Sequence, residues 1–89
     1  MNAVITVIGK DKKGIIHGVT SVLAENDINI LDINQTIMQD YFTMIMLVDL
    51  SAMQIGFEDI KKKLQEKGEE LSVNIRIQHE DIFKSMHEI

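Results

Sequence analysis

The spacing of apolar residues switches repeatedly between a period of two and a period near 3.6, and the order of those switches leaves few folds open. Residues 3–8 (Ala3-Val4-Ile5-Thr6-Val7-Ile8) are apolar on both alternating faces apart from Thr6, the pattern of a strand covered on both sides. After the turn Gly9-Lys10-Asp11-Lys12-Lys13-Gly14, residues Ile15, Ile16, Val19, Val22 and Leu23 recur on one helical stripe. Asn26-Asp27 ends that helix, both residues being poor in helix interiors and tolerant of left-handed geometry. From Asn29 the period becomes two. Leu31, Ile33 and Ile37 alternate with Asp32, Asn34 and Thr36, which predicts one dry face and one wet face.

Gln39-Asp40-Tyr41 is a hairpin-sized break, and Phe42 to Leu50 is again apolar on both faces. Phe57, Ile60 and Leu64 then share a helical face, with Glu58–Lys62 and Asp59–Lys63 as acid-first pairs outside and Gly68 as the expected stop. Val73, Ile75 and Ile77 alternate with Asn74, Arg76 and Gln78, and Ile82, Phe83, Met86 and Ile89 form a stripe on a terminal helix. The order is β-α-β-β-α-β, then α. Strands one and three carry apolar residues on both faces, so they belong in the centre, and strands two and four belong at the edges. Right-handed crossovers then place both long helices on one face. The expected fold is α+β: a ferredoxin-like βαββαβ sandwich with an antiparallel sheet ordered 4-1-3-2 and a short C-terminal helix. The expected division is one domain over 1–78 and a helical extension over 79–89.

Composition narrows the function classes. A chain of 89 residues suits one domain with a modest core, for which self-association is a common remedy. A net charge of −5 speaks against a nucleic-acid partner, because such binding rests on neutralising phosphates with Lys and Arg. The absence of Cys excludes disulfides and thiolate metal sites, and the apolar run at the N-terminus is too short for a bilayer. No membrane partner and a reduced, cytoplasmic setting are expected. Other proteins of this topology need aromatics on both central strands to stack RNA bases, a Cys pair on the first loop to carry metal, or an Arg near that loop for acylphosphatase chemistry. The single Arg is Arg76, in the last strand. No nucleophile has an evident base, and no carboxylates are paired for acid–base work, so neither an enzyme nor a cofactor is expected.

Two segments carry a positive match. Ile5-Thr6-Val7-Ile8-Gly9-Lys10-Asp11-Lys12-Lys13-Gly14-Ile15-Ile16 resembles the first strand, loop and helix start of the ACT domain family. Leu23-Ala24-Glu25-Asn26-Asp27-Ile28-Asn29-Ile30 resembles its helix end and second-strand start, and the fifteen-residue gap between Gly14 and Asn29 resembles its spacing. The terminal segment Asp81–Ile89 is similar to that of stand-alone UPF0237-type ACT proteins, and the chain also resembles the ACT repeats of glycine-cleavage regulators. One departure is Lys13, where many members have Pro. The resemblance implies a regulatory module that binds an amino acid between this loop and the second strand, Asn29 and Ile30, of a neighbouring subunit. The alternative is a protein–protein interaction module of the same fold without a small-molecule ligand.

The residues support that chemistry directly. Gly14 opens a helix whose first N–H groups, on Ile15, Ile16 and His17, favour a carboxylate. The Asn29 carbonyl can accept from an ammonium, and Asp11 can help with its charge. Plainer roles exist for each: Gly14 suits a helix start and Asn29 a turn whether or not a ligand binds. Lys10, Lys12, Lys13 and Lys61-Lys62-Lys63 suit solvated surfaces. His79 and His87 lack a third ligand in sequence, so no metal site is expected. Met38, Met44, Met46 and Met86 suit packing. The second strand, residues 29–38, is an inferred sheet edge without Lys or Pro, so a homodimer through that edge is expected.

Overall fold

β1 (Asn2–Gly9) pairs on both of its edges, antiparallel to β3 (Tyr41–Asp49) on one side and to β4 (Asn74–His79) on the other. β2 (Asn29–Met38) joins the far side of β3, so the sheet runs β2-β3-β1-β4, the expected order read from the other end. The computed structural model describes residues 1–10 and 13–87. Asp11, Lys12 and Ile89, which figure in the expectations above, lie outside those residues.

One face of the sheet is dry because its register aligns apolar side chains across the strands. Ala3, Ile5 and Val7 of β1 stand opposite Val48, Met46 and Met44 of β3, and Ile5 and Val7 also stand opposite Ile77 and Ile75 of β4. All of these side chains are buried. Two helices contribute the other wall: α1 (Ile15–Glu25) through Ile15, Val19, Val22 and Leu23, and α2 (Phe57–Leu71) through Ile60 and Leu64. Fully burying each such side chain contributes roughly 1.5–3 kcal/mol.

The opposite face carries Val4, Thr6 and Ile8 from β1, Thr43, Ile45 and Leu47 from β3, and Asn74, Arg76 and Gln78 from β4. Val4 is buried there, but Ile8 and Ile45 remain 45% and 40% exposed, so the expected double-sided burial of the central strands is incomplete. α3 (Glu80–His87) lies over the β1–β4 half of this face. The Gln78 side-chain amide donates to Met86 Sδ at 3.5 Å, and Phe83 is half-buried. Ile82 and Met86 stay exposed, so only part of the terminal apolar stripe is covered.

Two local expectations are corrected. β2 does not alternate simply, because a bulge between Ile30 and Asp32 leaves Leu31 without a partner and shifts the phase. Ile33 and Ile37 then stand opposite the buried Met46 and Phe42, while Leu31 leaves their row. No residue of β2 is buried, and only Ile30 is half-covered. Gly68 does not end α2; the helix continues to Leu71. Gly68 is buried, and a Cβ there would stand 2.8 Å from the Val73 carbonyl oxygen, so the close approach of the chain entering β4 requires glycine.

Both long helices end in the same way. Asp27, at φ 56°, donates its N–H to Ala24, and Ile28 donates to Leu23. Ser72, at φ 59°, donates to Glu69, and Val73 donates to Gly68. This is the Schellman arrangement, which satisfies the last carbonyls and turns the chain into the next strand. Its left-handed position is normally glycine, and here a side chain occupies it twice. Ser72→Gly is expected to stabilise the fold by about 0.5–1 kcal/mol, read as an increased midpoint of urea unfolding. Asp27→Gly is expected to gain less, since Asp tolerates this conformation better than Ser.

Candidate functional site

The expected site begins where β1 leaves the sheet. Gly14 is the residue before α1, at φ 77° and ψ −10°, a left-handed conformation that favours glycine. Its carbonyl accepts the Gly18 N–H at 2.9 Å. A Cβ at Gly14 would meet nothing within 4 Å, so the requirement for glycine is conformational and the space in front of the helix start is open. No side chain caps the helix at Gly14. The Ile15 side chain is buried in the core, Ile16 is half-buried against it, and His17 is exposed, so their contribution at the helix start is backbone N–H. Lys10 and Lys13 are exposed.

Asn29 and Ile30 lie at the other end of the sheet. Asn29 pairs in register with Asp49, which pairs with Asn2 at the start of β1. The loop follows Gly9, seven residues further along β1, a span of about 23 Å at the usual strand rise. One protomer therefore does not bring Asn29 and the helix start together. The strand start that stands at the loop end is that of β4, where the Val73 side chain packs on Gly9 and Asn74 pairs with Ile8. Asn29 is exposed, and Ile30 is half-buried against the core.

A carboxylate that the sequence analysis passed over stands beside Asn29. Asp49 Oδ1 accepts the Ser51 hydroxyl at 2.6 Å and the Ser51 N–H at 2.9 Å. These hydrogen bonds, the hydroxyl first, hold its pKa below the ordinary value of 3.8. The spacing Asp49-Leu50-Ser51 after a strand was the available signal, since an Asp that bonds the backbone two residues on is a familiar turn. Asn29 and Asp49 together form a polar corner with an amide carbonyl and an ionised carboxylate, a pair suited to an ammonium group.

The remaining candidates divide between structural roles and open surface, and the packing expected of Met38 and Met86 is not found. His79 stacks on Phe57, with ring centroids 4.1 Å apart and planes 18° from parallel. Among the described residues no three His, Cys, Asp or Glu side chains come together to hold a metal ion, and the side chain of His87 lies outside them. Met44 and Met46 are fully buried, whereas Met38 and Met86 are exposed. Lys61, Lys62 and Lys63 are exposed along α2. No helix among the described residues is long and apolar enough to cross a membrane.

Residues 2–78 match the ACT domain family, a span that takes in every strand and both long helices up to Gln78. The chain belongs to this family. ACT domains are in general regulatory modules that bind small molecules. A UPF0237 protein of Clostridium acetobutylicum is 63% identical over the full length of both chains. A UPF0237 protein of Methanocaldococcus jannaschii is 57% identical over 97% of this chain and 96% of its own. The structure of an ACT domain protein from Streptococcus pneumoniae superposes with a TM-score of 0.83 at 42% identity, covering 98% of each chain.

The Asp49 corner makes a pH-dependent contribution of definite sign. A carboxylate whose pKa is lower in the folded than in the unfolded chain adds stability above its ordinary value, and loses it as pH falls through the folded value. The effect is small because the group is solvent-accessible. In urea titrations, wild type is expected to lose stability more steeply than Asp49→Asn as pH falls below 3.8. Parallel acid limbs for the two proteins would show that the Ser51 hydrogen bonds do not hold in solution.

Proposed function

We propose that this ACT domain is a non-catalytic cytoplasmic regulatory module that senses an amino acid or related small metabolite as a homodimer. One observation carries the reading: the helix start and the Asn29–Asp49 corner stand at opposite ends of the same sheet, and the free edge of β2 runs between those two ends. A two-fold axis that pairs β2 with its copy in antiparallel fashion sets a residue opposite its own copy, and Asn34, one of the two central residues of the strand, is placed there. Asn29 of one copy then lies just past Met38 of the other, at the end where Gly9 leads into the loop. The helix N-terminus, from Gly14 through Ile15, Ile16 and His17, takes the ligand carboxylate. Asn29 accepts from the ammonium, with Asp49 and Asp11 supplying negative charge, and Ile30 lies beside Asn29. The edge itself supports pairing, since Leu31, Ile33, Ile37 and Met38 are all exposed and the strand carries no Lys or Pro.

A second reading, a protein–protein interaction module without a small-molecule ligand, is favoured by Ile37, Met38 and Tyr41. These three exposed apolar side chains gather at the tip of the β2–β3 hairpin.

A thermal-shift screen over the amino acids separates the two readings, because a ligand specific to the folded state raises the melting temperature, by about 2.7 kcal/mol of added stability at 100 Kd. For the amino acid that shifts the curve, Asn29→Ala is expected to weaken binding by about ten- to hundred-fold in calorimetry, with the fold intact. If no amino acid binds below millimolar concentration, the interaction-module reading replaces the first. Asn34→Lys sets two lysines near each other at the two-fold axis, on a side chain already exposed. Light scattering is expected to show a dimer for wild type at micromolar concentration and a shift toward monomer for Asn34→Lys. A wild-type monomer would sink the edge-paired arrangement.

A further inference from the structure

We propose that the cleft between α3 and the sheet is a second binding site, for a small amphipathic carboxylate, separate from the loop site and resting on none of its residues. The cleft encloses about 340 Å³ on the sheet face away from α1 and α2, at the lower end of the size usual for small-molecule pockets. Its floor is Ile8 and Ile45, and its wall is Phe83 and Met86 of α3. Ile8, Ile45 and Met86 are among the most exposed apolar side chains outside β2. Apolar surface that is both concave and uncovered is stabilised by an apolar guest.

Charge selects the guest. Arg76 lines the same cleft and is the only arginine in a chain of net charge −5. Its register position opposite Thr6 places it mid-strand, between Asn74 and Gln78 on the same face. Three ion pairs are formed among the described residues, by the N-terminus, Lys67 and Lys84, and Arg76 takes part in none of them. A guanidinium presents a planar fork matched to a carboxylate, and the amides of Asn74 and Gln78 offer further donors beside it. An apolar trough with one cationic end fits a molecule with one apolar end and one anionic end.

The roof argues for a small guest and against a second copy of the chain. α3 already spans part of the cleft, tied down by the Gln78–Met86 hydrogen bond, so a flat protein surface cannot reach Ile8 and Ile45 while a narrow chain can. The lining comes from β1, β3, β4 and α3, so filling the cleft binds the terminal helix to the sheet.

Octanoate, with octanol as its uncharged control, tests the site on the full-length protein. Titration with octanoate is expected to shift the methyl resonances of Ile8, Ile45 and Met86, with an affinity at least ten-fold above that for octanol. Arg76→Gln, at an exposed position where the fold is not at risk, is expected to weaken octanoate binding at least ten-fold and leave octanol unchanged. Phe83→Ala is expected to weaken both. The proposal is overturned if octanoate leaves the methyls unmoved up to millimolar concentration or if Arg76→Gln binds it as wild type does. It is equally overturned if the shifted methyls are those of Ile37 and Met38, which would place the apolar guest on the hairpin. An amino-acid screen that succeeds or fails leaves each of these outcomes unaffected.

Discussion

Everything in this molecule is arranged around one strand that is hydrogen-bonded along both edges. β1 holds β3 on one side and β4 on the other, and those two neighbours come from the middle and the far end of the chain. Because β1 runs parallel to β2 and β3 parallel to β4, each of these connections must return along the length of the sheet, and α1 and α2 supply the returns on the same face. The core is thus the set of side chains that β1 and its neighbours turn toward the helices. The two edges are what remain: β2, long and apolar, and β4, short and bearing Arg76. The asymmetry between those edges leaves β2 open along its length, while α3 shelters the side of β4.

The central placement of β1 and β3 was legible from residues 3–8 and 42–50, because a strand that is apolar on both faces has no stable place at a sheet edge. The helix ends were legible from Asn26-Asp27, whose side chains favour the left-handed turn found there. Ser72 gave no such sign, and Gly68 gave a misleading one: its role is a close approach by the Val73 backbone, beyond the end of the helix. The bulge at Leu31 was hidden for a different reason. A bulge changes the phase of a period-two pattern by one residue, and both Leu31 and Ile33 are apolar, so the sequence reads smoothly across the break.

The separation of Gly14 from Asn29 follows from topology more than from residue type. In a right-handed β-α-β unit the helix carries the chain back to the level at which the first strand began. The second strand therefore starts at the far end from the first loop, whatever residues stand there. A site that used both the loop and that strand start would need two copies of the chain. The Asp49 corner shows the complementary case: its turn with Ser51 is a local pattern, but its neighbour Asn29 comes from the register of β3 with β2.

The order in which β1 acquires its neighbours has a consequence for biosynthesis. Its first partner, β3, is complete by Asp49, but the second edge stays open until β4 has been made, between Asn74 and His79. During that interval a ribosome-bound chain carries the uncharged run Ala3-Val4-Ile5-Thr6-Val7-Ile8 on an unpaired sheet edge, the kind of template on which other strands assemble. The chain has no proline or charged residue within that run to deter such pairing. Elongation at roughly 5–20 residues per second closes the gap within a few seconds. A chain that ends before β4 leaves that edge of β1 without its partner strand.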